Sequence, residues 1–297
     1  MALAAAALAV APAAAAAPLP GAPGCPVLPA GNVWNARVDA LPAHPDSDRL
    51  IASIGLDETL HPDFSDAGRY GIPINVVRRT TPRRAVRFEY ASESDRVRYP
   101  IPARPRIEGG SDRHLLMLDR DACRLYELFA ARRGAGGGWS AGSGAVFDLR
   151  SNRLRPAGWT SADAAGLPIL PGLARWDEAA GAGIHHALRF TAPRTRRAYV
   201  YPARHVASDS SDPALPPMGL RVRLRRGVSL AGFGPQARAV LLALKRHGMI
   251  LADNGSPWFI TGAPDGRWDD DDLRGLRRIT GRDLEVVDTG RLRNRRR

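Results

Sequence analysis

The sequence of 297 residues contains very little lysine. Lys245 is the only one, so the formal net charge of +13 comes almost entirely from arginine. Apart from the stretch 291–297, the arginines are spread along the chain, whereas proteins that bind nucleic acids concentrate positive charge on one face or segment. We therefore expect no nucleic-acid partner, although a basic surface can attract acidic polymers such as uronate polysaccharides. Residues 291–297 are predicted to form a basic disordered tail.

Long apolar runs are missing beyond the first residues. After residue 17 no segment approaches the roughly 18 apolar residues that a membrane-spanning helix needs, so we expect no transmembrane segment. Residues 1–17 are mostly alanine, with leucine and valine, and they end in small residues that suit cleavage by signal peptidase. They lack the basic start of a signal peptide, and a disordered Ala/Pro linker is the alternative. We interpret 1–17 as a signal peptide and expect a secreted, extracellular protein.

The sequence has two cysteines, Cys25 and Cys123. In an oxidising compartment they can pair, and the bond would close a loop of about a hundred residues. Neither cysteine belongs to a C-x-x-C or zinc-binding spacing, so a thiolate metal site is not expected. The sequence therefore predicts a disulfide between Cys25 and Cys123 and no metal or other cofactor.

Short apolar or alternating segments dominate the sequence after a Pro/Gly-rich linker predicted at 18–30. Eleven such segments are bounded by Gly, Pro, Asn or Asp and predict strands: 72–77, 85–90, 114–120, 124–131, 145–149, 184–191, 197–201, 220–225, 249–252, 258–261 and 284–287. The residues Asp253-Asn254-Gly255-Ser256 favour a hairpin turn between two of them. No internal repeat or change in composition demands a second domain.

Helix signals are few. Residues 235–247 begin with proline and are followed by Gly248, and residues 269–278 begin with aspartates and end with arginines. Ser47 can cap a short helix at 48–54. The sequence therefore predicts a mostly β, single domain over 31–290, like a β-sandwich or jelly roll, with two short C-terminal helices. We expect it to be a monomer.

The common catalytic signatures are missing. The sequence contains no H-E-x-x-H motif, no P-loop and no dinucleotide-binding fingerprint. Gly142-Ser143-Gly144 does not have the G-x-S-x-G spacing of a nucleophile elbow. The aspartates 269–272 lack the alternation and glycine of a calcium loop, and a charged helix start explains them better. No motif therefore names a reaction.

One polar group precedes the strand predicted at 114–120. Glu108, Asp112, Arg113 and His114 surround a pair of glycines, which brings an acid, a cation and a histidine to the mouth of a strand. Such loops line binding grooves in many enzymes. We predict Glu108 and His114 as catalytic and Asp112 and Arg113 as substrate-binding. The alternative is a surface turn in which Asp112 pairs with Arg113.

A second polar group begins within the strand predicted at 145–149 and continues after it. If Asp148 points inward from its apolar strand, burial raises its pKa and suits it to general-acid catalysis; otherwise it bonds a neighbouring loop. Thr160 and Asp163 match a helix capping box, which explains them without a function. We nevertheless predict Asp148 and Asp163 as catalytic, with Trp159 stacking on a sugar ring.

Three histidines, His185, His186 and His205, form a third polar group with nearby Tyr201 and Arg204. A histidine serves as a general base or a metal ligand near neutral pH, but in a strand it is more often structural. We predict His205, at the end of a strand, as catalytic, with Tyr201 and Arg204 binding substrate. A fourth group, around Asp253, is better explained as a turn.

Several stretches resemble a group of secreted bacterial proteins of unassigned function. They are YGIP at 70–73, IEGG at 107–110, DRH at 112–114, AGSGAVFDL at 141–149, GWTSADAAGLPILPGL at 158–173, GMILADNGS at 248–256, and the segments 186–191 and 196–205. The resemblance covers about residues 25–288 and implies export and one unit of conserved length. It implies no catalytic residue. Residues 96–98 depart from the pattern, which affects the local loop shape.

Two functions fit this sequence. The first is a hydrolase or lyase that acts on an extracellular polysaccharide, because the chain is β-rich, carries an export signal and has six tryptophans. A hydrolase needs two carboxylates on either side of a groove, for which Asp148 with Asp163 or Glu108 is the candidate pair. The second is a non-catalytic protein that binds a glycan of the cell envelope. A metal-dependent enzyme using His114, His185 or His205 is a third option.

Overall fold

The computed structural model describes residues 16–64 and 70–294. Of the predicted signal peptide only Ala16 and Ala17 lie within the described residues, and residues 295–297 of the predicted tail lie outside them. Within the described ranges no helix has the length and apolar character that crossing a membrane requires.

Fifteen strands form four sheets in the described part of the chain. In chain order they are β1 (His61–Asp63), β2 (Ile74–Val77), β3 (Arg83–Arg84), β4 (Val86–Phe88), β5 (Tyr99–Pro100), β6 (Leu115–Asp119), β7 (Arg124–Phe129), β8 (Arg132–Arg133), β9 (Trp139–Ala141), β10 (Ser143–Asp148), β11 (Leu188–Ala192), β12 (Arg221–Leu224), β13 (Met249–Asn254), β14 (Phe259–Thr261) and β15 (Leu284–Val286). The α-helices are α1 (Ser47–Ile54), α2 (Trp176–Ala179), α3 (Pro235–Arg246) and α4 (Asp270–Arg274). The prediction of a mostly β, single domain with a short C-terminal helical region is confirmed.

Two sheets supply side chains to the main apolar core. One has six strands in the order β1-β14-β11-β13-β12-β15, and the other has four in the order β10-β7-β6-β2. In β6, Leu116 and Leu118 face the main core, while Leu115 and Met117 face a second, smaller core under the short sheets. Because both faces of β6 are buried, its sequence is continuously apolar instead of alternating.

Helix α3 forms where its sequence signals place it. Pro235 occupies the first turn, where its missing N–H costs nothing, and Lys245 and Arg246 lie in the last turn, where they interact favourably with the helix dipole. Gly248 follows with φ of 69°, in the left-handed conformation that terminates helices. Val240, Leu241 and Leu244 are buried in the main core.

The hairpin predicted at Asp253–Ser256 is not present. Strand β11 lies between β13 and β14, pairing in parallel with β13 and antiparallel with β14. The turn residues therefore connect two strands that are not neighbours. The predicted strand at 197–201 is also missing, since only an isolated bridge between Tyr199 and Met218 occurs there.

The predicted disulfide between Cys25 and Cys123 is confirmed. It holds the stretch 18–30, predicted as a linker, against the rest of the protein. Leu19, Val27 and Leu28 in this stretch are buried in the main core. Its Pro/Gly-rich composition therefore corresponds to turns within the packed body.

The described part of the predicted tail also contacts the domain. The side-chain oxygen of Asn294 accepts a hydrogen bond from the backbone amide of Val33 at 2.7 Å. The backbone amide of Asn294 donates to the Tyr201 hydroxyl at 2.9 Å. The guanidinium of Arg293 lies 4.9 Å from the centre of the Tyr201 ring. Up to residue 294, the tail is thus held by specific contacts.

Candidate functional site

A group of ionisable side chains lies where strands of the two large sheets approach each other. Its members come from the loop before β6, from β7, from the loop after β10, from β11 and from β13. We call this group the buried polar cluster; it comprises the buried His114, Glu127, Asp163 and Arg189 and the partly buried Glu108 and Asp253.

Arg189 and Asp163 form the centre of the cluster. Arg189 donates from Nε to Asp163 Oδ2 at 3.0 Å and from Nη2 to Oδ1 at 2.5 Å, and from Nη1 to the Thr261 hydroxyl at 2.5 Å. Both charged side chains are buried. Such a two-pronged contact fixes the position of both side chains. The capping box proposed for Thr160 and Asp163 is not formed, because no α-helix follows and Arg189 holds the carboxylate.

His114 and Glu108 form a second pair. His114 Nδ1 lies 2.5 Å from Glu108 Oε2, and Nε2 lies 3.1 Å from the carbonyl oxygen of Ala162. Burial alone would lower the pKa of His114, but the hydrogen bond and charge of Glu108 outweigh burial and raise it. Burial opposes ionisation of Glu108 as well, and the hydrogen bond from His114 prevails and lowers the pKa of that carboxyl. Both shifts favour the charged pair, an imidazolium beside a carboxylate.

Glu127 projects from β7 into the main core. Both of its carboxyl oxygens lie 3.0 Å from the amide nitrogen of Ile169, and Oε1 also accepts from the Leu170 amide at 3.0 Å. These bonds favour ionisation, but complete burial outweighs them and raises the pKa of Glu127 to about 7. Glu127 is thus a carboxyl that carries a proton part of the time at neutral pH.

Asp253 is the other carboxyl with a strongly raised pKa. Burial is the main cause and the nearby carboxylate of Asp163 adds to it, while Arg189 and His114 act in the opposite direction; the result is a pKa of about 7. Its Oδ1 accepts the Asn254 amide at 2.7 Å. Because β11 lies beside β13, Asp253 stands opposite Thr191, two positions from Arg189 along the neighbouring strand.

A cavity of about 520 Å³ lies against the cluster. Asp253 forms part of its wall, as does Ala162, whose carbonyl oxygen contacts His114. The other carboxyl and imidazole groups that line it belong to Glu93, Asp209 and His205, and no arginine or lysine is among its described lining residues. The volume lies within the range of small-ligand sites in proteins.

Glu93 and His205 face each other across part of this wall. His205 Nε2 lies 3.5 Å from Glu93 Oε2, and His205 Nδ1 lies 2.9 Å from the carbonyl oxygen of Ala164. Glu93 Oε2 also accepts the amide of Thr160 at 3.0 Å. The cavity thus holds an oriented carboxylate in addition to Asp253.

The structure brings together part of the predicted catalytic set. Glu108, His114 and Asp163 all lie in the buried polar cluster, and His205 lies on the cavity wall. Asp148 does not join them, because it is exposed at the opposite end of β10 from the cavity-lining Ser143, and its carboxylate accepts the amide of Arg150. The burial on which its predicted role as a general acid depended is missing.

The residues predicted to bind substrate lie outside the walls of the 520 Å³ cavity. Arg113 donates to the carbonyl oxygen of Ala131 at 3.1 Å, and Arg204 donates to that of Arg155 at 2.9 Å. The guanidinium of Arg155 covers the ring of Trp159 at 5.5 Å.

The remaining two predicted binding residues have other contacts. Asp112 accepts the Ser111 hydroxyl at 3.0 Å instead of pairing with Arg113. Tyr201 lines a different cavity. All five substrate-binding assignments remain predictions, without support from this cavity.

Sequence reasoning missed four residues of the site. Asp253 was assigned to a turn, and Glu93, Glu127 and Arg189 were not singled out. Arg189 had a usable signal, since an arginine within the apolar segment 186–192 requires a buried acceptor. Asp253 had none, because its burial depends on the insertion of β11 beside it.

The histidines do not assemble into a metal site. His186 is buried and bonds Glu178 at 3.0 Å, whereas His185 bonds the carbonyl oxygen of Ala182. Across residues 16–64 and 70–294 there is no group of three or more His, Cys, Asp or Glu side chains arranged to hold a metal ion.

No protein-family model matches the chain, and neither a curated protein nor a solved structure matches it.

Proposed function

We propose that the protein is a secreted hydrolase that cleaves a glycan in the 520 Å³ cavity, with Asp253 as the proton donor. The observation that carries this proposal is a carboxyl group with a pKa of about 7 on the wall of a cavity of ligand size. Cleavage of a glycosidic bond needs an acid that still holds its proton near the working pH. A carboxyl with an ordinary pKa is almost fully ionised there.

A second carboxylate is available for the other half of the reaction. In the proposed step Asp253 gives its proton to the leaving oxygen as the bond to the anomeric carbon breaks. Glu93, oriented by Thr160 and His205, takes a proton from the attacking water, whose oxygen forms the new bond to that carbon. Every proton that leaves one group is thus taken up by another.

Other members of the buried polar cluster adjust the pKa of Asp253. The carboxylate of Asp163 raises the pKa of Asp253, and Arg189 limits that increase. Arg189 holds Asp163 in place through two hydrogen bonds. We therefore assign Asp163 and Arg189 as positioning residues, in place of the direct catalytic role first expected for Asp163.

The charge of the cavity favours a hydrolase over a lyase. A lyase removes the proton next to a uronate carboxylate, and the negative charge that develops needs a cation close by. The described lining holds carboxylates and one histidine but no arginine or lysine. A neutral glycan therefore fits this cavity better than an acidic one, despite the net charge of +13.

The disulfide between Cys25 and Cys123 is consistent with export, because such bonds persist in oxidising compartments. Together with the signal-peptide-like start, it supports our proposal of an extracellular protein. The resemblance to a group of secreted bacterial proteins stays a prediction.

The test is release of reducing ends from a panel of neutral and acidic polysaccharides. We expect the wild type to act on a neutral glycan, and we expect Asp253→Asn and Glu93→Gln each to lose about 100-fold or more of that activity. Asp48→Asn is the matched control, because Asp48 is an aspartate with a 91% exposed side chain outside the cavity.

Two results would contradict the proposal. One is full activity in Asp253→Asn. The other is binding of a glycan by the wild type without any product, which would establish the alternative of a non-catalytic glycan-binding protein.

A further inference from the structure

A second cavity, of about 310 Å³, is separate from the candidate site. It lies between the start of α1, the loop that precedes β12 and the segment after β15, and it shares no lining residue with the 520 Å³ cavity. Three arginines line it, Arg49, Arg196 and Arg293, against two aspartates, Asp46 and Asp288. Its lining therefore carries more positive than negative charge, the reverse of the candidate site.

The side chain of Arg196 has no hydrogen-bond or ion-pair partner among the described residues. Its Nε is buried and has no hydrogen-bond acceptor among the described residues, and no described carboxylate pairs with its guanidinium. A buried donor without an acceptor costs about 1–3 kcal/mol, so native structures nearly always satisfy such groups with protein, water or ligand. Arg196, which lines the cavity, thus carries a positive charge that no described carboxylate neutralises.

The other two arginines are held in place by contacts within the chain. Arg49 Nη2 lies 3.0 Å from Asp46 Oδ1. Arg293 lies over the ring of Tyr201 and donates from Nη1 to the carbonyl oxygens of Gly290 and Leu292, so that its charge meets no carboxylate in these contacts. Arg293 therefore adds a fixed positive charge to the wall.

We propose that this cavity binds a small oxyanion, such as a phosphate or the carboxylate of a sugar acid, with Arg196 as its principal ligand. The planar guanidinium matches oxyanions through parallel hydrogen bonds. A bound oxyanion would accept hydrogen bonds from the guanidinium of Arg196, which lines the cavity, and Arg293 would add electrostatic attraction. Tyr201, predicted from the sequence to bind substrate, lines this cavity and not the 520 Å³ one.

The test is isothermal titration calorimetry of the full-length protein at low ionic strength, with inorganic phosphate and glucuronate in separate experiments. We expect at least one of them to bind, and we expect Arg196→Gln to weaken that binding by about tenfold or more, equivalent to about 1.4 kcal/mol. Binding of phosphate alone identifies a phosphate site, and binding of glucuronate alone identifies a sugar-acid site. Arg194→Gln is the matched control, because it removes the same charge from an exposed position outside the cavity.

Equal weakening in Arg196→Gln and Arg194→Gln would show general attraction by a basic protein and would overturn the proposal. Absence of binding of both anions by the wild type would overturn it too. The Nε–H resonance of Arg196 provides a second readout that needs no substitution. It should shift on addition of the bound anion, whereas a resonance that stays unchanged at saturation contradicts the assignment.

Discussion

Replacing Arg189 with methionine tests how much the buried ion pair between Arg189 and Asp163 contributes to the stability of the protein. The substitution keeps much of the side-chain volume but removes three hydrogen bonds, and it leaves the carboxylate of Asp163 buried without its counter-charge. Loss of one partner of a buried ion pair typically costs about 3–5 kcal/mol. For a protein of this size, that corresponds to a decrease in Tm of about 10 °C.

The measurement is urea unfolding followed by tryptophan fluorescence. The double variant Arg189→Met with Asp163→Asn should be destabilised by less than the sum of the two single variants, because it leaves no isolated charge. Asp48→Asn serves as the control, since it breaks an exposed pair with Arg225 and should cost about 0–1 kcal/mol. If Arg189→Met costs no more than this control, the buried pair does not have the importance that we give it.

Two further perturbations follow from the same structure. The pKa of Glu127 is about 7 in the folded state and near 4.3 in the unfolded state, so the folded protein binds the extra proton between these values and its stability falls as pH rises through this window. The free energy of unfolding of the wild type should therefore fall by about 3 kcal/mol more between pH 5 and pH 8 than that of Glu127→Gln. Urea unfolding of both proteins at the two pH values measures this. An equal fall in the two proteins contradicts the raised pKa of Glu127. Replacing both Cys25 and Cys123 with serine should lower the free energy of unfolding by about 2–4 kcal/mol, and intact-mass analysis of the non-reduced wild type after alkylation should show no modified thiol.

Local sequence patterns predicted the elements but not their arrangement. Strands such as β6 and β7 and the helix α3 follow from apolar runs and from Pro235 and Gly248, because short-range sterics and burial determine them. The disulfide followed from the presence of only two cysteines. The order β14-β11-β13 did not follow, because the parallel pairing of β11 and β13 joins residues about sixty positions apart and has no turn to signal it.

The residues of the candidate site also fall into those that the sequence could predict and those that it could not. Glu108, His114 and Asp163 attracted attention because they are polar residues beside predicted strands, and they do lie together. Asp253 and Glu93 have equally ordinary local contexts, and their importance comes from tertiary contacts alone. Asp148 shows the converse: its apolar neighbours suggested burial, but it is the last residue of β10 and points into solvent.

The most direct test of the proposed proton donor is the titration of Asp253 itself. The chemical shift of its carboxyl carbon, assigned by comparison with Asp253→Asn, can be followed by ¹³C NMR between pH 3 and pH 9. We expect a midpoint near pH 7, because burial and the carboxylate of Asp163 both disfavour ionisation. A midpoint near 4, the value of an ordinary aspartate, would contradict the assignment of Asp253 as the acid.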